Sequence, residues 1–331
     1  MTSIRQVIVT AAAATIALNG CGGSGSETAG IDAGGVRQPV IAQGPISGFG
    51  SIIVGGVHYD IDRAQISVNG APGAVADLAL GQLVTVIGER EEDDTLGAAD
   101  SVIFDANVEG PVQSVDTMAG TLVVLGQPVA TGSATIFELP GRGQEIESIA
   151  LGDRVQVSGF VIGGGSLEAT RVALLSPGTL RVRGTVGDLD SAATRFRLNA
   201  LTVDYRAAAV IDGFAGGAPS NGDDVVVVGT ALGPGGELLA EQLTRYGGDF
   251  EPDAGDEAEI EGLITRFVGL ADFAVADVPI QASADTVYEG GSAANLRLNV
   301  KVQVEGRANA AGIIEARKIE VKDGGRVVGA P

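Results

Sequence analysis

The chain has no Trp, one Cys, one His and an aromatic share of only 4% in 331 residues. Each scarcity removes a class of function. A single Cys leaves no intramolecular disulfide, and together with a single His it leaves no zinc cluster. One imidazole, His58, would have to serve any Ser-His-Asp or Cys-His arrangement alone. Sparse aromatics provide no stacking platform for nucleic-acid bases. Basic residues are also short, with 21 Lys and Arg against 42 Asp and Glu, and the formal net charge of −21 repels phosphate backbones and anionic lipid headgroups. No nucleic-acid partner is expected. The acidity suits the solubility of an exposed extracytoplasmic protein.

Long hydrophobic runs are missing as well. Val7 to Leu18 is an apolar stretch of about 12 residues, the length of a signal-peptide core and short of the ~20 that span a bilayer. It follows a short polar start with Arg5 and precedes Leu18-Asn19-Gly20-Cys21. That tetrapeptide resembles the lipobox of bacterial lipoproteins, which implies cleavage before Cys21 and lipidation of its thiol. Acyl chains contribute roughly 0.8 kcal/mol per buried methylene, so several together hold firmly. Gly22, in place of an Asp there, implies the outer membrane by resemblance to sorting signals, with the periplasmic or surface face left open. Residues 22 to 43 read as a Gly- and Ser-rich flexible spacer.

Hydrophobic residues make up 45% of the chain, mostly Ala, Val, Leu and Ile, and the remainder of the sequence repeats. Gly81-x-x-Val84-x-Val86-x-Gly88 recurs as Gly152-x-x-Val155-x-Val157-x-Gly159, Gly222-x-x-Val225-x-Val227-x-Gly229 and Asn299-x-x-Val302-x-Val304-x-Gly306, at intervals of roughly 70 to 77 residues. Valines two apart share one face of a strand, and the bounding glycines suit tight turns with positive φ. Asn299 fits that account, since Asn is the non-glycine residue that best tolerates the left-handed region. Each copy opens alike, at Gly44-Pro45-Ile46, Gly110-Pro111-Val112, Gly184-Thr185-Val186 and Gly262-Leu263-Ile264. Each closes alike around Ala99, Ala169, Ala240 and Ala316.

Alternating stretches such as Thr121–Val124 and Phe196–Asn199 give five or six short strands per copy and almost no helix outside the leader. The expected fold class is all-β, with tandem small barrels following an N-terminal signal helix. The expected boundaries are 1–20 signal peptide, 21–43 tether, 44–107, 108–178 and 179–247 for three modules, 248–258 acidic linker, 259–325 for the fourth module and 326–331 tail. The most mobile joint is expected in the acidic connection from Gly247 to Glu259. The stretches 44–57, 108–112 and 125–129 resemble the DUF5666 domains of bacterial lipoproteins, a family of unknown function. That resemblance implies an OB-like barrel and export, and carries over no catalytic residue.

Other candidates read more plainly. Alternation places His58 opposite Val57, Tyr59 and Ile61, on a solvated strand face. The acidic groups Glu89, Glu91, Glu92, Asp93 and Asp94, and Asp249, Glu251, Asp253, Asp256 and Glu257, lack the order of an EF-hand loop and read as a solvated hairpin and a linker. The glycine runs 163–165, 216–217 and 290–291 read as hairpin tips. Arg171, Arg181, Arg183, Arg195 and Arg197 read as an ion-paired exposed strand face, the alternative being a positive patch. No catalytic, cofactor or metal residue is assigned. The expected role is a membrane-tethered, non-enzymatic binding, adaptor or scaffold protein of the cell envelope, with a protein or polysaccharide partner held by repeated weak sites. The alternatives are a glycan-active hydrolase using paired carboxylates and a calcium-binding surface protein.

Overall fold

The computed structural model describes residues 38–322 apart from 92–94, 215 and 248–249. The signal helix, Cys21, the acidic residues Glu92, Asp93, Asp94 and Asp249, and the tail 326–331 lie outside the described residues. Within them the chain is all-β, with no α-helix. Three single turns of 3-10 helix, Val75–Asp77, Ile146–Ser148 and Ala293–Asn295, each come just before a copy of the valine motif. Every motif valine is buried, from Val84 and Val86 to Val302 and Val304, so period two selects the inner face in all four copies.

The second copy shows how the strands join. Val108–Asp116 pairs antiparallel with Thr121–Val124, and that strand with Gln127–Ala130. Gln127–Ala130 runs parallel to Ser166–Leu174, which pairs with Arg154–Ile162, and Arg154–Ile162 returns to Val108–Asp116. The fourth copy repeats this circuit through Glu257–Gly269, Asp272–Val275, Val278–Glu289, Ile314–Val321 and Lys301–Ala308. The copies are also fused through their first strands. Gln38–Pro45 runs parallel to Glu257–Gly269, and Leu180–Thr185 pairs antiparallel with Val108–Asp116. The first and fourth copies therefore share one 12-stranded sheet, and the second shares a 10-stranded sheet with part of the third.

Two expected boundaries move as a result. The spacer ends before Gln38, because Val40, Ile41 and Ala42 are buried strand residues and not tether. The acidic linker ends before Glu257, where Glu257 and Ala258 already pair with Arg307 and Gly306. In both places a short apolar or charged stretch has the seam between copies as its partner, which the sequence alone does not display.

The motif's first position behaves as expected: Gly81, Gly152, Gly222 and Asn299 have φ of 79°, 82°, 91° and 61°. The closing glycine does not. Gly88, Gly159 and Gly306 sit inside strands at register shifts, following Ile87, Ser158 and Glu305, instead of in turns. Their role is close backbone approach.

Asn299 yields a first prediction. Besides its left-handed φ, its Oδ1 accepts the Gly163 N–H at 3.2 Å, across copies. Asn299→Ala is expected to cost about 1–2 kcal/mol, since alanine pays the left-handed penalty and supplies no acceptor. Asn299→Gly should cost less, and urea unfolding of the two variants separates these effects.

Candidate functional site

Alternation sends every second residue of each copy's first strand away from its own core. In an isolated module these residues would meet water. Here some of them lie at a seam with another copy, while others, such as Gln43 with Thr85 and Glu261 with Lys301, pair within their own. Glu109 accepts from Asn69 Nδ2 at 2.9 Å and from Gln156 Nε2 at 2.7 Å. Arg181 donates to Asp105 Oδ1 at 2.5 Å. Glu259 accepts from Arg90 Nη1 at 3.1 Å and from Gln303 Nε2 at 2.6 Å. Burial pushes the Glu259 carboxyl up to about 7, with Arg90 opposing the shift.

Arg183 departs from this pattern. Its guanidinium carbon lies 3.5 Å from the centre of the Tyr246 ring, and among the described residues it has neither an ion-pair nor a side-chain hydrogen-bond partner. The stacked face is satisfied, while the N–H edges are free to donate. Arg183 lines a cavity of about 350 Å³ where all four copies meet, with Gln43, Phe160, Tyr246, Phe250 and Asp277 among its walls. A second cavity of about 320 Å³ shares Arg183, Asp224 and Asp277 and adds Gln127, Gly165 and Asn199. Together they form a cleft with one unpaired cation, several carboxylates and amides, and three of the chain's few aromatic rings. Phe160 is held from behind, with Lys301 Nζ 4.9 Å from its ring centre and bonded to Glu261 Oε1 at 2.8 Å.

Hairpin tips explain why the cleft stays open. The first copy's tip accepts Gln303 Nε2 at Gly55 O, 2.9 Å. The second and third copies' tips dock on each other, with the Ala200 N–H donating to Gly126 O at 3.2 Å and Asn199 Nδ2 donating to Gln127 Oε1 at 2.7 Å. The fourth tip, Ala276–Asp277, borders the cleft instead. Its two residues have φ of 47° and 67°, two successive left-handed non-glycine residues. Gly55–Gly56 and Leu125–Gly126 carry the same left-handed pair, which two-residue hairpin turns require, and without glycine it costs of order 1 kcal/mol or more per residue.

The residues singled out in the sequence fall as follows. His58 is exposed on its strand, as expected, with Nδ1 3.3 Å from Ser51 Oγ, above an open hollow that Asp60, Asp62, Glu89 and Asp100 also line. Among the described residues no group of three His, Cys, Asp or Glu is placed to hold a metal ion. The acidic stretch divides. Glu251 lines the cleft, Asp256 accepts the Asp253 N–H at 3.0 Å, and Glu257 is buried between Arg307 and Arg317. Gly163–Gly165 is a hairpin tip, and Gly165 accepts Asn199 Nδ2 at 2.8 Å.

The arginines are not one exposed face. Arg171 and Arg181 are buried against Glu138 and Asp105, Arg195 pairs with Asp204, and Arg197 donates to the Asn199 and Ala200 carbonyls. Sequence reasoning saw Arg183 but missed Tyr246, Phe250 and the Ala276–Asp277 tip. The available signal was two aromatics flanking a connection in a chain that has few.

The family model described as "Domain of unknown function (DUF5666)" matches residues 109–173 and 261–320, the second and fourth copies. Of the stretches that carry the resemblance, 109–112 and 125–129 fall within the matched regions, and 44–57 in the first copy lies outside them. No curated protein matches the chain. Among solved structures, "drosophila Unr CSD456" is similar at 14% identity over 62% of this chain and 97% of that one. Its TM-score of 0.20 is too low to carry an argument.

Proposed function

We propose that this chain, which carries tandem DUF5666 domains, is a non-enzymatic binding protein of the cell envelope, lipid-anchored through Cys21. Each copy is read as an OB-like barrel, a reading supported by the circular strand pairing in the second and fourth copies. Residues from Gly22 to the first strand serve as the tether. The membrane contact is the lipid anchor, in the outer membrane by the lipobox context, and the partner is an envelope polysaccharide or protein. Nucleic acid is excluded from the reading by the net charge of −21.

The observation that carries the reading is Arg183, stacked on Tyr246 with no side-chain partner among the described residues, in a cleft where Gln43 and Asp224 have theirs in Thr85 and Thr185. Such a group costs free energy unless water or a ligand accepts its hydrogen bonds. A second reading, glycan hydrolysis, rests on Asp224 and Asp277 lining one cavity.

The test is a crosslinking pull-down from intact envelope with the wild type, Cys21→Ser and Arg183→Ala. Cys21→Ser is expected to move nearly all of the protein from the membrane to the soluble fraction, and its N-terminal peptide should lose its acyl groups in mass spectra. Arg183→Ala should stay in the membrane and lose the captured partner. Equal capture by wild type and Arg183→Ala would sink the cleft as the binding site. Release of reducing ends from envelope glycans, lost in Asp224→Asn, would turn the reading to hydrolysis.

A further inference from the structure

Resting on that binding reading, we infer that the cleft takes a short glycan segment bearing a single carboxylate, which the free edge of Arg183 grips. Stacking on Tyr246 uses the guanidinium face and fixes its plane, so the N–H edge is presented as a preset fork. A fork of this kind matches a carboxylate by two parallel hydrogen bonds. Across the sheet Arg183 stands opposite Val226, and Thr185 stands opposite Asp224. Asp224 is therefore the diagonal neighbour of Arg183, and its Oδ1 is occupied by Thr185 Oγ1 at 2.6 Å. The nearest carboxylate on the same sheet face is thus held by a hydroxyl, and the arginine stays available.

Around that fork the cleft offers mainly acceptors. Asp277 at the fourth tip, Glu251 and the second oxygen of Asp224 accept from hydroxyl groups, which neutral sugars supply in number. Phe250 adds an apolar patch on the same wall. The first and second copies' tips accept hydrogen bonds from neighbouring copies, the third copy's tip donates those to the second, and the fourth tip is left for an outside donor. A polyuronate does not suit the site, because the formal charge of −21 repels a polyanion. A single carboxylate among neutral sugars suits both the one cation and the many acceptors. A peptide would bring apolar side chains and strand-edge hydrogen bonds, for which these walls offer little.

The experiment is calorimetric titration of the full-length protein with three probes: a neutral trisaccharide ending in one glucuronate, its methyl ester, and an acidic tripeptide. The acid is expected to bind about tenfold or more tightly than the ester, the scale of one charge-assisted pair. In Arg183→Gln that ratio should fall to about one. Arg183→Lys, which keeps the charge and loses the fork, should give an intermediate ratio. Thermal melting of each variant shows whether it is folded, and ester binding retained by Arg183→Gln shows the same at the site. Equal binding of acid and ester overturns the carboxylate inference and leaves the binding reading standing. Tighter binding of the peptide overturns the glycan class. If no probe binds and Arg183→Ala also captures the envelope partner normally, both the inference and the cleft fall together.

Discussion

Gly159→Ala is expected to cost about 3 kcal/mol or more, a large effect for one methyl group. A Cβ at Gly159 would stand 2.1 Å from Glu168 O and 2.8 Å from Ala169 Cα. Both are backbone atoms of the adjacent strand, so no rotamer change relieves the contact. The two strands would have to part at the bulge, and they contribute Val155, Val157, Leu167, Ala169 and Val172 to the hydrophobic core that the second and third copies share. The same geometry recurs at Gly88, Gly229 and Gly306, where the nearest carbonyl oxygens would be 2.1, 2.2 and 2.3 Å away. Gly152→Ala is the control. With φ of 82° and nothing within 4 Å of its Cβ position, it should cost only the left-handed penalty of about 1–2 kcal/mol. Urea unfolding at fixed pH reads both, and equal destabilisation by the two substitutions would remove the bulge account.

The closing glycine shows how far the sequence could be read. Its recurrence was visible, and so was the recurring alanine some ten residues later, yet the two were separate facts. Pairing joins them: Gly88 lies opposite Ala99, Gly159 opposite Ala169 and Gly306 opposite Ala316. Small residues face each other there because the strands approach too closely for larger ones. Spacing along the chain cannot reveal that, because it does not report which strands pair or where a bulge shifts them. The inner faces were legible because apolar period two identifies them without knowledge of the partner. Asn299 was legible for a similar reason, since its conformational preference is local.

The cleft was not legible, and the cause is physical. A polar residue on the outer face of a strand looks solvated whether water or another module covers it. Alternation gives Arg171 and Arg181 the look of exposed, ion-paired residues; both are paired with carboxylates, yet they are only 6% and 7% exposed. Burial between copies depends on the parallel match of Val40 with Glu257 and the antiparallel match of Arg181 with Glu109, contacts between residues far apart in the chain. The acidic connection misled for the same reason. Glu257 resembles a linker carboxylate in sequence, yet it is a buried strand residue paired with Arg307 and Arg317 of its own copy, next to Glu259, which bonds Arg90 of the first copy.

That seam should make stability depend on pH in a direction unusual for a carboxylate. Burial raises the Glu259 carboxyl from the ordinary 4.5 to about 7; Arg90 and Gln303 pull it down, and Glu305 and Glu261 push it up. A raised carboxyl means that between about 4.5 and 7 the native state keeps a proton that the unfolded chain has lost. The native state then binds more protons, so stability from this group is greatest below 4.5, falls as pH rises towards 7 and is flat above. The difference amounts to about 3 kcal/mol at most, from 1.36 kcal/mol per unit. Glu259→Gln keeps one acceptor, for either Arg90 or Gln303, without a titrating group, so it should remove this slope at a pH-independent cost of one hydrogen bond. Glu259→Ala instead leaves Arg90 buried without its carboxylate and should cost about 3–5 kcal/mol. Urea midpoints at pH 5 and pH 8 distinguish the cases: the wild type should lose stability relative to Glu259→Gln on going from 5 to 8. Parallel profiles for the two proteins would mean that Glu259 is ionised throughout. The seam between the first and fourth copies would then be a permanent ion pair with Arg90, and no proton would be held there in the native state.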